Sequence, residues 1–258
     1  MGGSATAKAT YMMSSLPNPF RAAIVGASGG IGHALVTQLA SFDACGRVYA
    51  LSRKPDANAP ADKVVPLRLD YDDPASISTA ATTIEADGPL HLTIVATGLL
   101  HDGETVAPEK DWRHLNADTM GRVFHVNTIG PSLVAQAFLP LFPKDQHGVF
   151  AALAARVGSI TDNGIGGWYS YRASKAALVM IIKSLAIELQ RKKRQTVIVG
   201  LHPGTVDTGL SQPFQANTRP GQVVAPDQAA RDLLSVINSL DHSKSGLHFA
   251  YDGASIAP

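Results

Sequence analysis

The sequence predicts a single α/β domain: a doubly wound parallel sheet of about seven strands with helices on both faces. Short apolar runs rich in β-branched residues recur at 22–25, 48–51, 64–69, 92–96, 149–153, 197–201 and 247–250. Stretches with helical character separate most of them, at 31–41, 74–86, 118–141, 170–191 and 226–240. Runs such as LTIVA are apolar or small throughout, as a sheet covered on both sides requires. In such folds ligands gather at the carboxyl ends of the strands, so the loops that follow strands carry the functional information.

Composition narrows the classes. Apolar residues at 45 % and charged residues at 17 % describe a well-cored globular chain. The 22 basic and 21 acidic side chains leave a net charge of +1, which argues against a nucleic-acid or anionic-membrane partner. No apolar run approaches the roughly 18–20 residues of a membrane span, and no secretion signal is visible at the start. The one cysteine, Cys45, excludes an internal disulfide and a cysteine metal cluster. A soluble, cytoplasmic protein is expected. Residues 1–20, with Pro17 and Pro19, read as a flexible lead-in to a domain over 21–258.

The first strand runs into VGASGGIG at 25–32. Gly26, Gly30 and Gly32, spaced G-x-x-x-G-x-G, let a diphosphate approach backbone N–H groups at a helix N-terminus. Gly26, Ser28, Gly29, Gly30 and Ile31 are the candidate cradle. The same letters spell G-x-S-x-G, the nucleophile elbow of hydrolases. That elbow normally follows several strands, and a triad of Ser28, Asp207 and His242 or His248 has only its chain order in support. The second strand ends in LSRKP. Ser52, Arg53 and Lys54 stand where NAD-preferring folds carry a carboxylate, and two cations suit a 2′-phosphate. NADP is therefore expected over NAD; the competing reading is a pair of solvated loop cations.

The helix at 170–191 opens within YSYRASK. Tyr171 and Lys175 are four residues apart and share a helix face, whereas Tyr169 has Ala173 at that offset. A phenol of pKa about 10 is a slow proton donor or acceptor near neutrality. Lowering it by about three units takes roughly 4 kcal/mol, which one ammonium ~4 Å away supplies at an effective dielectric of ~20. Lys175 is expected to do this. The nine histidines show no H-E-x-x-H spacing, so no metal is expected. The basic run at 191–194 closes a long helix, where cations meet the macrodipole favourably. The polar, proline-containing segment 207–225 reads as a substrate lid.

Together VGASGGIG, LSR, the Asp70 of RLDYDD, ATG at 96–98, HVNTIGP at 125–131, YSYRASKAAL, HPGTVDT at 202–208 and FAYDG carry a resemblance. From about Arg21 onward the chain resembles the short-chain dehydrogenase/reductase family, and within it the C-factor-like carbonyl reductases. The resemblance implies a Rossmann-type fold and interconversion of a small-molecule carbonyl and alcohol with NADP(H). It also implies a homo-oligomer built through the helices at 118–141 and 170–191. It places Asp70 and Tyr71 by the adenine and Ala96, Thr97 and Gly98 by the ribose. Tyr171 becomes the acid/base, and Lys175 also binds the ribose hydroxyls. Pro203, Gly204, Val206 and Thr208 fall at the nicotinamide carboxamide. Asn127 joins a proton relay, just before Gly130-Pro131, which interrupts helix hydrogen bonding and gives a water a place.

One position departs from the pattern. The serine that holds the substrate carbonyl in this family is replaced by Ala154 and Ala155. Ser159, twelve residues before Tyr171, is the nearest hydroxyl. Either Ser159 takes that role or catalysis leans on Tyr171 alone, at a loss of about 10²–10³ in rate for one missing donor. The alanine pair also raises a second reading, a non-enzymatic NADP-binding sensor or signalling protein.

Overall fold

The computed structural model describes residues 13–56, 62–217 and 221–258. Its seven-stranded sheet has the order β3-β2-β1-β4-β5-β6-β9, with every neighbouring pair parallel. The strands are β1 (Phe20–Val25), β2 (Cys45–Ser52), β3 (Val64–Arg68), β4 (Leu92–Val95), β5 (Gly148–Leu153), β6 (Thr196–His202) and β9 (His248–Ala250). This is the Rossmann-type fold, and the order reverses between β1 and β4, where such sheets open a crevice for a ligand. β1, β4 and β5 are buried almost throughout, as their unbroken apolar runs require.

Helices α1 (Gly30–Ser41) and α6 (Pro226–Asn238) cover one face through Leu35, Leu39, Leu233 and Ile237. Helices α2 (Pro74–Asp87), α4 (Gly130–Phe138) and α5 (Tyr169–Arg191) cover the other through Ile77, Ile84, Phe138, Leu178 and Ile182. Each fully buried side chain of this size stabilises the fold by about 1.5–3 kcal/mol. The basic run at the end of α5 is structural in part. Arg194 donates to the carbonyls of Leu139 and Phe142, and Lys192 pairs with Glu188.

Three expectations need correction. The lead-in does not extend to residue 20: Met13 and Leu16 are buried in the α1/α6 core, and the Ser15 N–H donates to Asn238. Residues 1–12 lie outside the described residues. The helix expected over 118–141 is broken into α3 (Ala117–Phe124), a π-helical turn (His125–Ile129) and α4, ending in a 3₁₀ turn at Leu139–Leu141. The Gly130 N–H reaches back five residues to His125, and Pro131 has no N–H to offer the Asn127 carbonyl. The lid segment 207–225 is more regular than its sequence suggests. Its end pairs with the loop after β6, as β7 (Thr205–Val206) lies parallel to β8 (Val223–Val224). Residues 218–220 of that segment lie outside the described residues.

Candidate active site

The cleft at the sheet's reversal point has a volume of about 420 Å³. Its lining includes Gly26, Ser28 and Gly29 of the first turn, Ser52 and Arg53 after β2, Asp70 and Tyr71 after β3, and Ala96, Thr97 and Gly98 after β4. Gly30 and Ile31 form the first turn of α1, which has no side-chain cap and no acidic residue near its start. An uncapped helix N-terminus of this kind leaves N–H groups for an anion. Lys54 is exposed, and its carbonyl accepts from the buried Ser52 hydroxyl, so Arg53 is the cation of the pair that reaches the cleft lining. Asp72 and Arg122 also line the cleft and pair at 2.7 Å. Tyr71 is largely a packing residue. Its ring lies against Gly130, its hydroxyl is 2.8 Å from Thr97 Oγ1, and burial raises its pKa well above the ordinary phenol value.

The loop after β6 closes over the other side. Thr208 lies against Gly30, 2.9 Å from where a Cβ there would sit, and Val206 is buried. Pro203 and Gly204 make the turn into it, with Gly204 at φ +78° and the Tyr251 ring packed against it. The glycine-rich turn and HPGTVDT, far apart in sequence, therefore meet at the start of α1. These features fit a dinucleotide phosphate. The glycine turn and α1 would hold the diphosphate, Arg53 the 2′-phosphate, and Asp70 with Thr97 the adenosine half.

The start of α5 brings Tyr171 and Lys175 near Asn127 and the loop after β4. Gly98 lies between them: a Cβ on it would sit 3.8 Å from Lys175 Nζ and 3.9 Å from Asn127 Oδ1. Asn127 is fully buried and its side chain is committed. Oδ1 accepts from the Leu99 N–H at 2.7 Å, while Nδ2 donates to the Leu99 carbonyl and to Ser174 Oγ. Ser174 Oγ in turn donates to the Tyr171 carbonyl. The side chain thus staples α5 to the loop after β4. What Asn127 can offer a relay is its backbone carbonyl, left without an i+4 donor by Pro131.

Lys175 is buried, and its ammonium donates to the Leu153 carbonyl at 2.7 Å. Gly158, in the turn after β5, packs so closely on it that a Cβ there would fall 2.8 Å from Lys175 Cβ. Burial pushes Lys175 down to about 8 and Tyr171 up to about 12. The expected lowering of Tyr171 by Lys175 is therefore not a property of these residues on their own. The ammonium sits 5.9 Å from the centre of the Tyr171 ring and is turned to Leu153, so desolvation of the phenolate prevails. At neutral pH the phenol is protonated.

Ser159 does not fill the place of the missing serine. Its hydroxyl accepts from the Asp162 N–H at 3.1 Å and faces the Pro258 main-chain oxygen at 3.4 Å. It lines a separate apolar pocket under Met180 and the chain end. Ala154 and Ala155 are buried and bring no hydroxyl. Replacing Ser159 with alanine is expected to lower stability by about 1 kcal/mol and leave turnover within about threefold. Thermal melts and initial rates read this, and a hundredfold loss of kcat would restore Ser159 to the reaction. Ser28, Asp207 and His248 do not form a triad: Asp207 bonds Gln215, and His248 is buried in β9 beside that same apolar pocket.

Three rings that the sequence reading did not single out as a group run outward from Tyr171. Trp168 meets Tyr171 edge-on at 6.2 Å and Phe214 of the lid at 5.1 Å, and Phe214 meets His101 at 5.5 Å. His101 Nε2 is 3.0 Å from the Gly209 carbonyl, which ties the loop after β4 to the lid. No sequence periodicity connects these residues. The only local signal is that Trp168 stands beside YSYRASK and Phe214 within the proline-rich lid.

The family model for short chain dehydrogenase matches residues 21–219. An uncharacterized oxidoreductase of Schizosaccharomyces pombe is 30 % identical over 251 residues, covering 90 % of this chain and 96 % of that protein. The C-signal protein of Myxococcus xanthus is 36 % identical over 137 residues, 53 % of this chain and 77 % of that protein. Among solved structures, an NADPH-bound carbonyl reductase from chicken fatty liver superposes with a TM-score of 0.81 at 25 % identity. The superposition covers 94 % of this chain and 95 % of that one.

Proposed function

The chain belongs to the short chain dehydrogenase family and is an oxidoreductase, and from that premise we propose that it reduces aldehydes or ketones with NADPH. The observation that carries this reading is Tyr171 on one face of α5 with the buried Lys175, whose ammonium lies beside Gly98 of the cleft lining. Such a phenol, protonated at neutral pH, can give its proton to a carbonyl oxygen in reduction and take it back from an alcohol in the reverse reaction. NADPH, when bound, supplies the hydride.

The chain's own residues divide the remaining work. Tyr171 Oη holds the proton that the carbonyl oxygen receives. Lys175 fixes the ring from one turn below and keeps a positive charge beside it. The Asn127 backbone carbonyl receives a water that returns protons from solvent. Ala154 and Ala155 bring no hydroxyl beside it, so donation to the substrate oxygen rests on Tyr171. Trp168, Phe214 and His101, packed edge to face, form an aromatic wall beside Tyr171. That wall favours aromatic carbonyl compounds over small polar ones. Met180 and Ile187, exposed along α5, supply the surface for a homo-oligomer.

Initial rates of NADPH and NADH oxidation against a panel of aromatic and aliphatic aldehydes and ketones test this reading. The expected result is turnover of aromatic carbonyls with NADPH preferred. Arg53→Ala is expected to weaken NADPH binding about 10–100-fold, the loss of one charge-assisted contact, with NADH affected about twofold at most. Tight NADPH binding with no turnover of any panel member would favour the sensor reading instead.

A further inference from the structure

Glu109 is a buried acid with no part in the mechanism above. It lies in the loop between β4 and α3 and is 5 % exposed. Its carboxylate reaches across 61 positions to the first turn of α5, where Oε2 accepts from the Ser170 N–H at 3.1 Å and Oε1 accepts from the Ser170 hydroxyl. Its backbone carbonyl accepts from the Trp168 N–H. Trp168 is the N-cap of α5 and caps nothing with its own side chain. It also stands in the left-handed region, at φ 49°, which a bulky residue adopts only when its surroundings hold it there. A single acid therefore fixes the wall residue Trp168, replaces the missing cap, and abuts Tyr171 by one residue.

The charge matters as well as the bonds. The N-terminus of a 23-residue helix is a positive pole, which would favour the phenolate of a tyrosine in its first turn. An anion at that pole opposes the effect. Other charged or titratable groups near this turn have partners of their own. Arg172 donates to the Gly167 and Val157 carbonyls, and Lys175 to Leu153. His101 faces Gly209, Asp207 on the lid meets Gln215, and Arg156 in the turn after β5 pairs with Asp162.

We propose that Glu109 is a positioning residue for Tyr171: it caps the helix that carries the tyrosine from the neighbouring loop, and its negative charge bears on the proton of the phenol. The proposal rests on the reading of Tyr171 as proton donor. The test is the pH dependence of kcat for NADPH-driven reduction of 4-nitrobenzaldehyde by the full chain, in wild type, Glu109→Gln, Glu109→Asp and Tyr171→Phe. NADPH affinity is followed in parallel. In Glu109→Gln the amide keeps the cap without the charge. NADPH binding is expected within about twofold of wild type, and the fall of kcat at high pH is expected about one unit lower. Glu109→Asp keeps the charge on a shorter arm, so that limb stays in place while kcat drops about tenfold from misplacement. A structural role alone would leave the limb unmoved in both variants. An unmoved limb in Glu109→Gln overturns the proposal, as does full kcat in Glu109→Asp should the glutamine variant fail to fold. Wild-type turnover in Tyr171→Phe would overturn the proton-donor reading itself, a result distinct from either.

Discussion

Replacing Tyr171 with phenylalanine is expected to lower kcat for carbonyl reduction by about 10³-fold while leaving NADPH affinity within about twofold. The ring survives the change. Its edge contact with Trp168 at 6.2 Å and the Lys175 ammonium 5.9 Å from its centre are contacts of the ring, not of the hydroxyl. The helix start also survives, because Ser174 holds it through the Tyr171 backbone carbonyl and Glu109 through Ser170. Only the proton donor is removed. Ala154 and Ala155 are buried nearby and bring no hydroxyl, and the Ser159 hydroxyl is turned to Asp162. In a site with a neighbouring serine, that group would still polarise the carbonyl, and the loss would be partial. Here the loss falls on kcat. Initial rates over a substrate range and a fluorescence titration with NADPH separate the two quantities. A kcat within threefold of wild type would assign the proton to another group.

The sheet was legible because its signal is local. Each strand is an apolar run that needs no partner to be recognised, and all seven fall where the runs stand. The positions of the glycine-rich turn and Arg53 along the cleft, and of Tyr171 and Lys175 on one face of α5, were legible for the same reason, each being a short spacing within one element. Failures came where contacts run across the chain. Lys175 shares a face with Tyr171 as its spacing predicts, yet its ammonium takes the Leu153 carbonyl, a group 22 positions away. Ser159 stands at a plausible spacing from Tyr171, yet the turn after β5 aims its hydroxyl at Asp162. Glu109 meets Ser170 across 61 positions and His101 meets Gly209 across 108, and no periodicity encodes either. Met13 and Leu16 looked like part of a polar lead-in because two apolar residues are too few to signal burial.

Gly32→Ala is expected to abolish useful cofactor binding, raising the NADPH Kd at least about 100-fold and lowering stability by about 2–3 kcal/mol. The reason is steric and has no soft partner. A Cβ at Gly32 would stand 2.1 Å from the Gly26 carbonyl oxygen, 2.8 Å from its carbon and 3.1 Å from Ala27 Cα. All three are backbone atoms, so relief requires the turn itself to move. That turn is held by the Gly29 N–H to the Gly26 carbonyl at 3.0 Å, and by the Gly26 and Ala27 N–H groups on the Leu51 carbonyl at 2.8 and 3.0 Å. Opening it shifts the N–H groups at the start of α1 that a diphosphate would meet, and separates Gly30 from Thr208. Gly121→Ala is the matched control. Gly121 is also helical, in α3, but nothing lies within 4 Å of its added Cβ, and alanine there favours the helix by up to about 1 kcal/mol. Thermal melts with and without NADPH read both variants. Wild type and Gly121→Ala should gain stability on adding NADPH, because the ligand binds only the folded state. Gly32→Ala should melt lower and gain nothing. An undiminished NADPH shift in Gly32→Ala would mean that the cofactor does not depend on this turn.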